Sequence, residues 1–412
     1  MTATKMIYLE DSYMKTEHDN KTLTLYLSGR IAADNAAEID SSISAAIAEY
    51  PELTPAFDAE KLEYISSAGL RVLLKFRKQF GKNLDVLNAS NDVYNIFEVT
   101  GFTELFYVRK KFREVSIEGC PVIGRGYFST VYKLSPDTIV KLFNRAPISL
   151  ERIYSDQQRA REIFIKDIPT AISFDVVKAG EYYGIVYEMI DALSLSGTIM
   201  KQPERLHELG HKMGSLLKKL HTTEFPAGTF PEAIHSIYES VKTLHVHALI
   251  SDSERDMLNG IIDSIPKRNT LIHYDYHPNN ILVQGDDLVL IDVGEASLGN
   301  PVIDFASAYF VEFSCVKIFN APADKMEEVL GLKLSLMADL WREMLAEYFG
   351  TTDAEKLRYY DELIEGYSML KGIFIGGLRI GNDNFERFHK PMMRKCVEYL
   401  SAHGVKSLEG VF

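Results

Sequence analysis

Leu271-Ile-His-Tyr-Asp-Tyr-His-Pro-Asn-Asn-Ile-Leu-Val283 is the stretch whose reading decides the fold. An apolar lead-in meets a turn-prone Tyr-His-Pro-Asn centre, and the chain leaves through Ile281-Leu-Val283, which reads as a strand. His273, Asp275 and Asn280 stand in the spacing H-x-D-x-x-x-x-N. Transfer of a phosphoryl group to a hydroxyl needs a carboxylate that can accept the hydroxyl proton, and Asp275 is spaced for that role. It also needs an amide oxygen for a metal ion, five residues on and across a loop that enters a strand; Asn280 fits.

Working outward, Leu288-Val-Leu-Ile291 is an apolar strand followed by Asp292 and Gly294, where a second metal-binding carboxylate is expected. Upstream, Ile123-Gly-Arg-Gly-Tyr-Phe-Ser-Thr-Val-Tyr-Lys133 has the form of a glycine-rich hairpin. Gly124 and Gly126 allow backbone N–H groups close to phosphates. Thr138-Ile-Val-Lys-Leu-Phe143 then puts Lys141 on the next strand, within reach of the same phosphates. A helix is expected from about residue 150 to 165, with strands over 171–177 and 183–188. Loop, lysine, acid–amide loop and second acid follow one another in the order a kinase uses.

On these residues, the part from about 118 to 412 resembles the aminoglycoside phosphotransferase and choline kinase group, built on the protein-kinase-like fold. Leu216-Leu-Lys-Lys-Leu-His221 and Gly299-Asn-Pro-Val-Ile-Asp-Phe-Ala306 belong to the same resemblance. It implies that Lys141 contacts the phosphates of ATP, that Asp275 is the catalytic base, and that Asn280 and Asp292 hold Mg2+. It also implies that Asp304 braces the catalytic loop, with His273 in support. Tyr187 to Ile190, including Glu188, would be the interlobe hinge whose backbone meets adenine. Ser129 takes the position of the third glycine in protein kinases, and Val293 that of their usual Phe. The helix carboxylate that pairs with Lys141 is expected to be Asp156, with Glu151 and Glu162 as rivals.

The first region, to about residue 112, alternates strands and helices: Thr22-Leu-Thr-Leu-Tyr-Leu-Ser28 as a half-buried strand, a helix marked by Ile39, Ile43 and Ile47 and ended by Pro51, a short strand over 55–58, a helix over 68–80, a strand over 84–87 and a short helix over 92–99. That density means one small α/β domain. Through Phe57-Asp58 and Leu62-Glu-Tyr-Ile-Ser-Ser-Ala-Gly-Leu-Arg-Val-Leu-Leu74 it resembles the STAS domain of sulfate transporters and anti-sigma factor antagonists. In regulatory members the residue directly before the glycine is a phosphorylated serine; here it is Ala68. Ser66 and Ser67 remain, and either could cap the helix by accepting a backbone N–H bond, a reading preferred to phosphoregulation. The basic run Arg109, Lys110, Lys111 and Arg113 is read as a solvated connector.

The expected architecture is therefore an α/β STAS domain (1–112) followed by a two-lobe α+β protein-kinase-like domain, with a small lobe over 113–192 and a mostly helical large lobe over 193–412. The expected function is ATP- and Mg2+-dependent phosphoryl transfer to a hydroxyl of a small molecule, or less directly of a protein serine, under a STAS regulatory module. The alternative is an interaction protein whose STAS module docks a partner while the kinase-like half senses nucleotide. Composition sets the outer bounds. Of the 412 residues, 46% are apolar and 25% charged, which suits globular domains, and 45 Lys plus Arg face 58 Asp plus Glu for a net charge of −13. An acidic balance of that size argues against nucleic acid or an anionic membrane as the main partner. Three scattered cysteines and an N-terminus without a long apolar run lead one to expect a cytoplasmic protein. His235, His245 and His247 lack a partner at ligand spacing, and Trp341, Met344, Tyr348 and Phe349 read as packing of a helical lobe.

Overall fold

The computed structural model describes residues 14–19, 21–226 and 228–412, so the extreme N-terminus, where no signal segment is expected, lies outside the described residues. The chain divides into two units between Val115 and Ser116.

In the first unit, alternation sets the sheet. Leu23, Leu25, Leu27 and Ile31 are buried along strand Thr22–Ile31, with more exposed residues between them. Five strands lie in the order Met14–His18, Thr22–Ile31, Thr54–Ile65, Leu84–Ala89 and Phe106–Lys110. The first pair is antiparallel and the rest are parallel, which requires the crossover helices Ala36–Glu49, Ser67–Phe80 and Asn91–Val99. Phe57, Phe76, Phe97 and Phe106 fill the core. Two expectations change. The strand expected over 55–58 runs from Thr54 to Ile65, carried on by irregularly registered pairing with its neighbour as far as Ile31 and Ile65. Arg109 and Lys110 are not connector: they end the last strand, where edge cations stay solvated, and Lys110 lies over the ring of Tyr94.

In the second unit, the small lobe is an antiparallel sheet with its strands in the order Ser173–Ala179, Tyr182–Glu188, Thr138–Leu142, Thr130–Lys133 and Val122–Arg125, accompanied by helix Leu150–Ile165. The large lobe is helical. Its main helices are Leu206–Thr222, Ala233–Val246, Asp252–Asp263, Val302–Tyr309, Leu334–Phe349, Ala354–Leu378 and Lys390–His403. Two short antiparallel ribbons interrupt them: Thr270–Ile272 with Ser297–Gly299, and Ile281–Gln284 with Asp287–Leu290. Trp341 and Met344 are buried, as their helical spacing leads one to expect. Among the described residues, no helix is long and apolar enough to cross a membrane.

Candidate active site

The two ribbons hold the loop between them. Asp304, fully buried near the start of helix Val302–Tyr309, accepts hydrogen bonds from the backbone amides of His273 (2.8 Å) and Tyr274 (2.5 Å). His221 Nε2 lies 3.1 Å from the same carboxylate, so the end of helix Leu206–Thr222 is drawn to the same point. Tyr274 takes a left-handed backbone conformation (φ 68°), a strained state for an aromatic residue that this pair of amide bonds holds in place. His273 is buried, with Nε2 3.1 Å from the carbonyl of Ile291, which ties the loop to the strand that precedes Asp292. Tyr276 donates its hydroxyl to the carbonyl of Met213 at 2.7 Å.

Held from behind, the loop presents Asp275 and Asn280 together. Asn280 Nδ2 donates to the carbonyl of Asp275 at 3.0 Å and to its Oδ2 at 3.3 Å, which turns the Asn280 amide oxygen away from that carboxylate. The amide of Ile291 donates to the carbonyl of Asn280 at 2.9 Å, so Asn280 and Asp292 are braced on one ribbon. Burial pushes the Asp275 carboxyl up, but hydrogen bonding to His277, 3.5 Å away, and the charge of Lys371 outweigh it and hold the group well below the usual carboxylate range. Asp275 is thus an anion throughout the working pH range.

Asp292 also sits at positive φ (60°) and forms an ion pair with Lys141, which holds its carboxyl low despite burial. Burial alone would lower the lysine, but the charge of Asp292 more than reverses that. The direct ion pair of Lys141 is with Asp292, and Asp156, the expected helix carboxylate, adds a second negative charge that also raises the lysine. Of Asp156, Glu151 and Glu162, only Asp156 is buried, and its carboxylate is already engaged by Arg152 (2.8 Å) and Arg159 (3.3 Å) on its own helix. Those arginines also reach the segment after Asp292: Arg159 donates to the carbonyl of Gly294, and Arg152 to Glu295 at 2.6 Å. Helix Leu150–Ile165 thus addresses the second acid's loop through guanidinium groups. Burial pushes Asp156 up to about 6 against the pull of both arginines.

The glycine-rich hairpin lies on the strands beside Lys141. Gly126 donates its amide to the carbonyl of Ser129 at 2.9 Å, and Ser129 is buried. A Cβ on Gly124 or Gly126 would meet the protein's own atoms no closer than 3.4 Å, so internal packing does not demand glycine at either position. The hinge is partly engaged. The Glu188 amide donates to the carbonyl of Ile172, its carboxylate accepts from the Ile172 amide, the Met189 amide donates to Asp137, and Ile190 accepts from Ala192. Glu188 therefore reads as the anchor of the hinge, since both its amide and its carboxylate face Ile172.

Three participants escape the sequence reading. His277 lies inside the quoted stretch, two residues after Asp275, and that spacing is its signal. Lys371 lies on helix Ala354–Leu378, donates to the carbonyl of Tyr274 at 3.0 Å and covers its ring. Nothing in its local sequence marks it, because only the tertiary fold brings it to the loop. Tyr127, at the hairpin tip, lies against the guanidinium of Arg379, again joined only by the fold.

In the first unit, Ser66 is the N-cap of helix Ser67–Phe80 and accepts from the Gly69 amide at 3.4 Å, while Ser67 Oγ accepts from Arg71 at 3.3 Å. A Cβ on Gly69 would lie 2.6 Å from Ile31 and 2.7 Å from Ile65, so the helix packs too closely on the strands for any other residue.

Comparison with known proteins follows the same division. A model of the phosphotransferase enzyme family matches residues 120–326, and a model of the STAS domain matches residues 13–116. By sequence, the chain is similar to BtrV of Bordetella bronchiseptica, assigned as an anti-sigma factor antagonist, with 33% identity over 85 residues, which are 20% of this chain and 72% of that protein. Among solved structures it is similar to a choline/ethanolamine kinase family protein from Mesorhizobium loti, at 14% identity over 68% of this chain and 87% of that one, TM-score 0.46. It is also similar to ADP-bound aminoglycoside phosphotransferase APH(2'')-Ib, at 16% identity over 76% and 99% of the two chains, TM-score 0.46.

Proposed function

The chain belongs to the phosphotransferase enzyme family and carries a STAS domain, and from that premise we propose that it transfers the γ-phosphoryl group of ATP, with Mg2+, to a hydroxyl of a small molecule. The observation that carries this reading is that the loop between the two ribbons brings Asp275 together with Asn280, while Lys141, from the small-lobe strand Thr138–Leu142, pairs with Asp292 just after the second ribbon. Asp275 accepts the acceptor's hydroxyl proton and orients its oxygen. Its low pKa makes it a weak base, so most of its contribution is alignment, with the proton leaving as charge moves onto the transferring group. Lys141 supplies positive charge against the phosphates.

The donor set fits Mg2+. Asn280 offers an amide oxygen turned away from Asp275, and Asp292 offers a carboxylate kept ionised by Lys141; both are hard oxygen donors. When bound, the ion supplies charge neutralisation at the phosphate oxygens. Gly124 and Gly126 leave room for phosphates above the hairpin. The STAS unit docks a protein partner, and Ser66 acts as the helix-capping group, since it already accepts a backbone hydrogen bond, whereas Ser67 does not cap and is engaged by Arg71.

Calorimetry tests the nucleotide site. ATP binding to the full chain should depend on Mg2+, and Asp292→Ala should abolish that dependence. Wild-type affinity in the variant, with Mg2+ present, removes Asp292 from the metal site.

A further inference from the structure

Away from this cleft, the first turns of helix Leu206–Thr222 face the last turns of helix Leu334–Phe349. His207 and His211 are one turn apart on the first helix, and Glu343 and Glu347 are one turn apart on the second. His207 Nδ1 lies 2.7 Å from Glu343 Oε2, and His211 Nε2 lies 3.6 Å from the same oxygen. One nitrogen from each imidazole and one Glu343 oxygen lie within 4.8 Å of one another.

The backbone is built for this approach. Gly210 and Gly214 are the residues over which the second helix crosses. A Cβ on Gly210 would lie 2.5 Å from Glu343 Cβ, and one on Gly214 would lie 2.8 Å from Glu347 Cβ and 2.6 Å from the Met344 carbonyl. Two glycines one turn apart therefore seat both glutamates directly against the histidine helix. The orientation of His211 is also set. Its Nδ1 lies 2.9 Å from Glu347 Oε2, and the other oxygen of Glu347 accepts from Ser215 at 2.7 Å. With Nδ1 carrying the proton toward Glu347, Nε2 is left as a lone pair directed at Glu343. A carboxylate behind a ligating histidine is the arrangement that fixes tautomer and orientation in zinc sites.

We propose that His207, His211 and Glu343 bind a divalent transition cation of the Zn2+ class, with Glu347 as the positioning partner of His211 and water in the fourth place. Mixed imidazole and carboxylate donors select such an ion over Mg2+. Tetrahedral ligands at zinc distances stand roughly 3.3 Å apart, so the side chains need only small movements to close on the ion. The site joins two helices of the large lobe, one of which backs the catalytic loop through Met213 and His221.

The test is titration of the full chain with Zn2+ by calorimetry, and with Co2+ by absorption, both in millimolar Mg2+ to occupy the nucleotide cleft. The expected result is one ion per chain at micromolar affinity or better, with a tetrahedral Co2+ spectrum. His207→Ala/His211→Ala should weaken binding by more than tenfold, and Glu347→Gln should weaken it by about 10–100-fold. His207 is largely exposed, so the double variant is expected to fold, and its circular dichroism and unfolding midpoint in metal-free buffer check that it does. Absence of Zn2+ binding below millimolar concentration in the wild type, or a loss under tenfold in the folded double variant, overturns the proposal.

Discussion

Asp275 is held as a carboxylate by neighbours that the linear sequence scatters over almost a hundred positions, from Lys371 to His277. Asp275→Asn keeps the shape of the loop but replaces the anionic oxygen that accepts from the acceptor hydroxyl and aligns it. The rate of transfer should fall by a factor of about 10²–10⁴, and ATP affinity measured by calorimetry should stay within a few-fold of wild type. A second expectation at this scale concerns Ser66. Its cap bond is long, so Ser66→Ala should lower the stability of the first unit by about 0.5–1 kcal/mol in urea unfolding. A larger loss would mean that the hydroxyl has a role beyond capping. At the level of single residues, much of the cleft is legible in the sequence because Asp275, Asn280, Asp292 and Lys141 are each a chemical type at a fixed spacing within a local element. Lys371, Arg152 and Arg159 are not, since a lysine or arginine on a helix looks the same whether it faces solvent or a carboxylate.

Elements carry the next layer. Strand Thr22–Ile31 follows the hydrophobic pattern closely, because period-two burial leaves a direct trace in the sequence, whereas Thr54–Ile65 is buried on both faces over its first half and does not alternate. Long-range helix contacts leave no such trace. Helix Asp252–Asp263 shows the difference. Its capping box, Ser251 with Glu254, is a local signature, but Glu254 also pairs with Arg394 at 2.8 Å on the last helix. The hydrogen bond from Arg394 is the leading cause that lowers Glu254 from its ordinary value near 4.5 to about 2. A carboxyl with a depressed folded-state pKa stabilises the fold above its unfolded pKa and loses that contribution as pH falls through the folded value. Glu254→Ala should therefore cost about 1 kcal/mol at neutral pH, and the gap between wild type and variant should narrow as pH falls from about 4.5 toward 2. Chemical denaturation at several pH values measures this directly, and a gap independent of pH would contradict it.

For the whole molecule, two hydrophobic cores organise two units, one on either side of Val115. The sequence suggests that division because the elements of the first region close near residue 112 and the glycine-rich hairpin opens a new set of strands from Ile123. How the helix carboxylate expected near Lys141 is engaged was not readable at the same level. The sequence offers three acids on one helix, and only the folded chain shows that two arginines engage the buried one. What the fold delivers at the cleft is an anionic oxygen at Asp275, oxygen donors at Asn280 and Asp292, and a cation at Lys141. Phosphoryl transfer requires that set. The most direct measurement follows the phosphorus itself: purified full-length protein, ATP and Mg2+, a panel of alcohols and amino sugars, and 31P NMR of the products. The account predicts a new phosphomonoester resonance with at least one hydroxyl acceptor, formed as ADP appears and lost in Asp275→Asn. Phosphoester formed equally well by that variant, or tight Mg2+–ATP binding with no transfer to any acceptor, would contradict it.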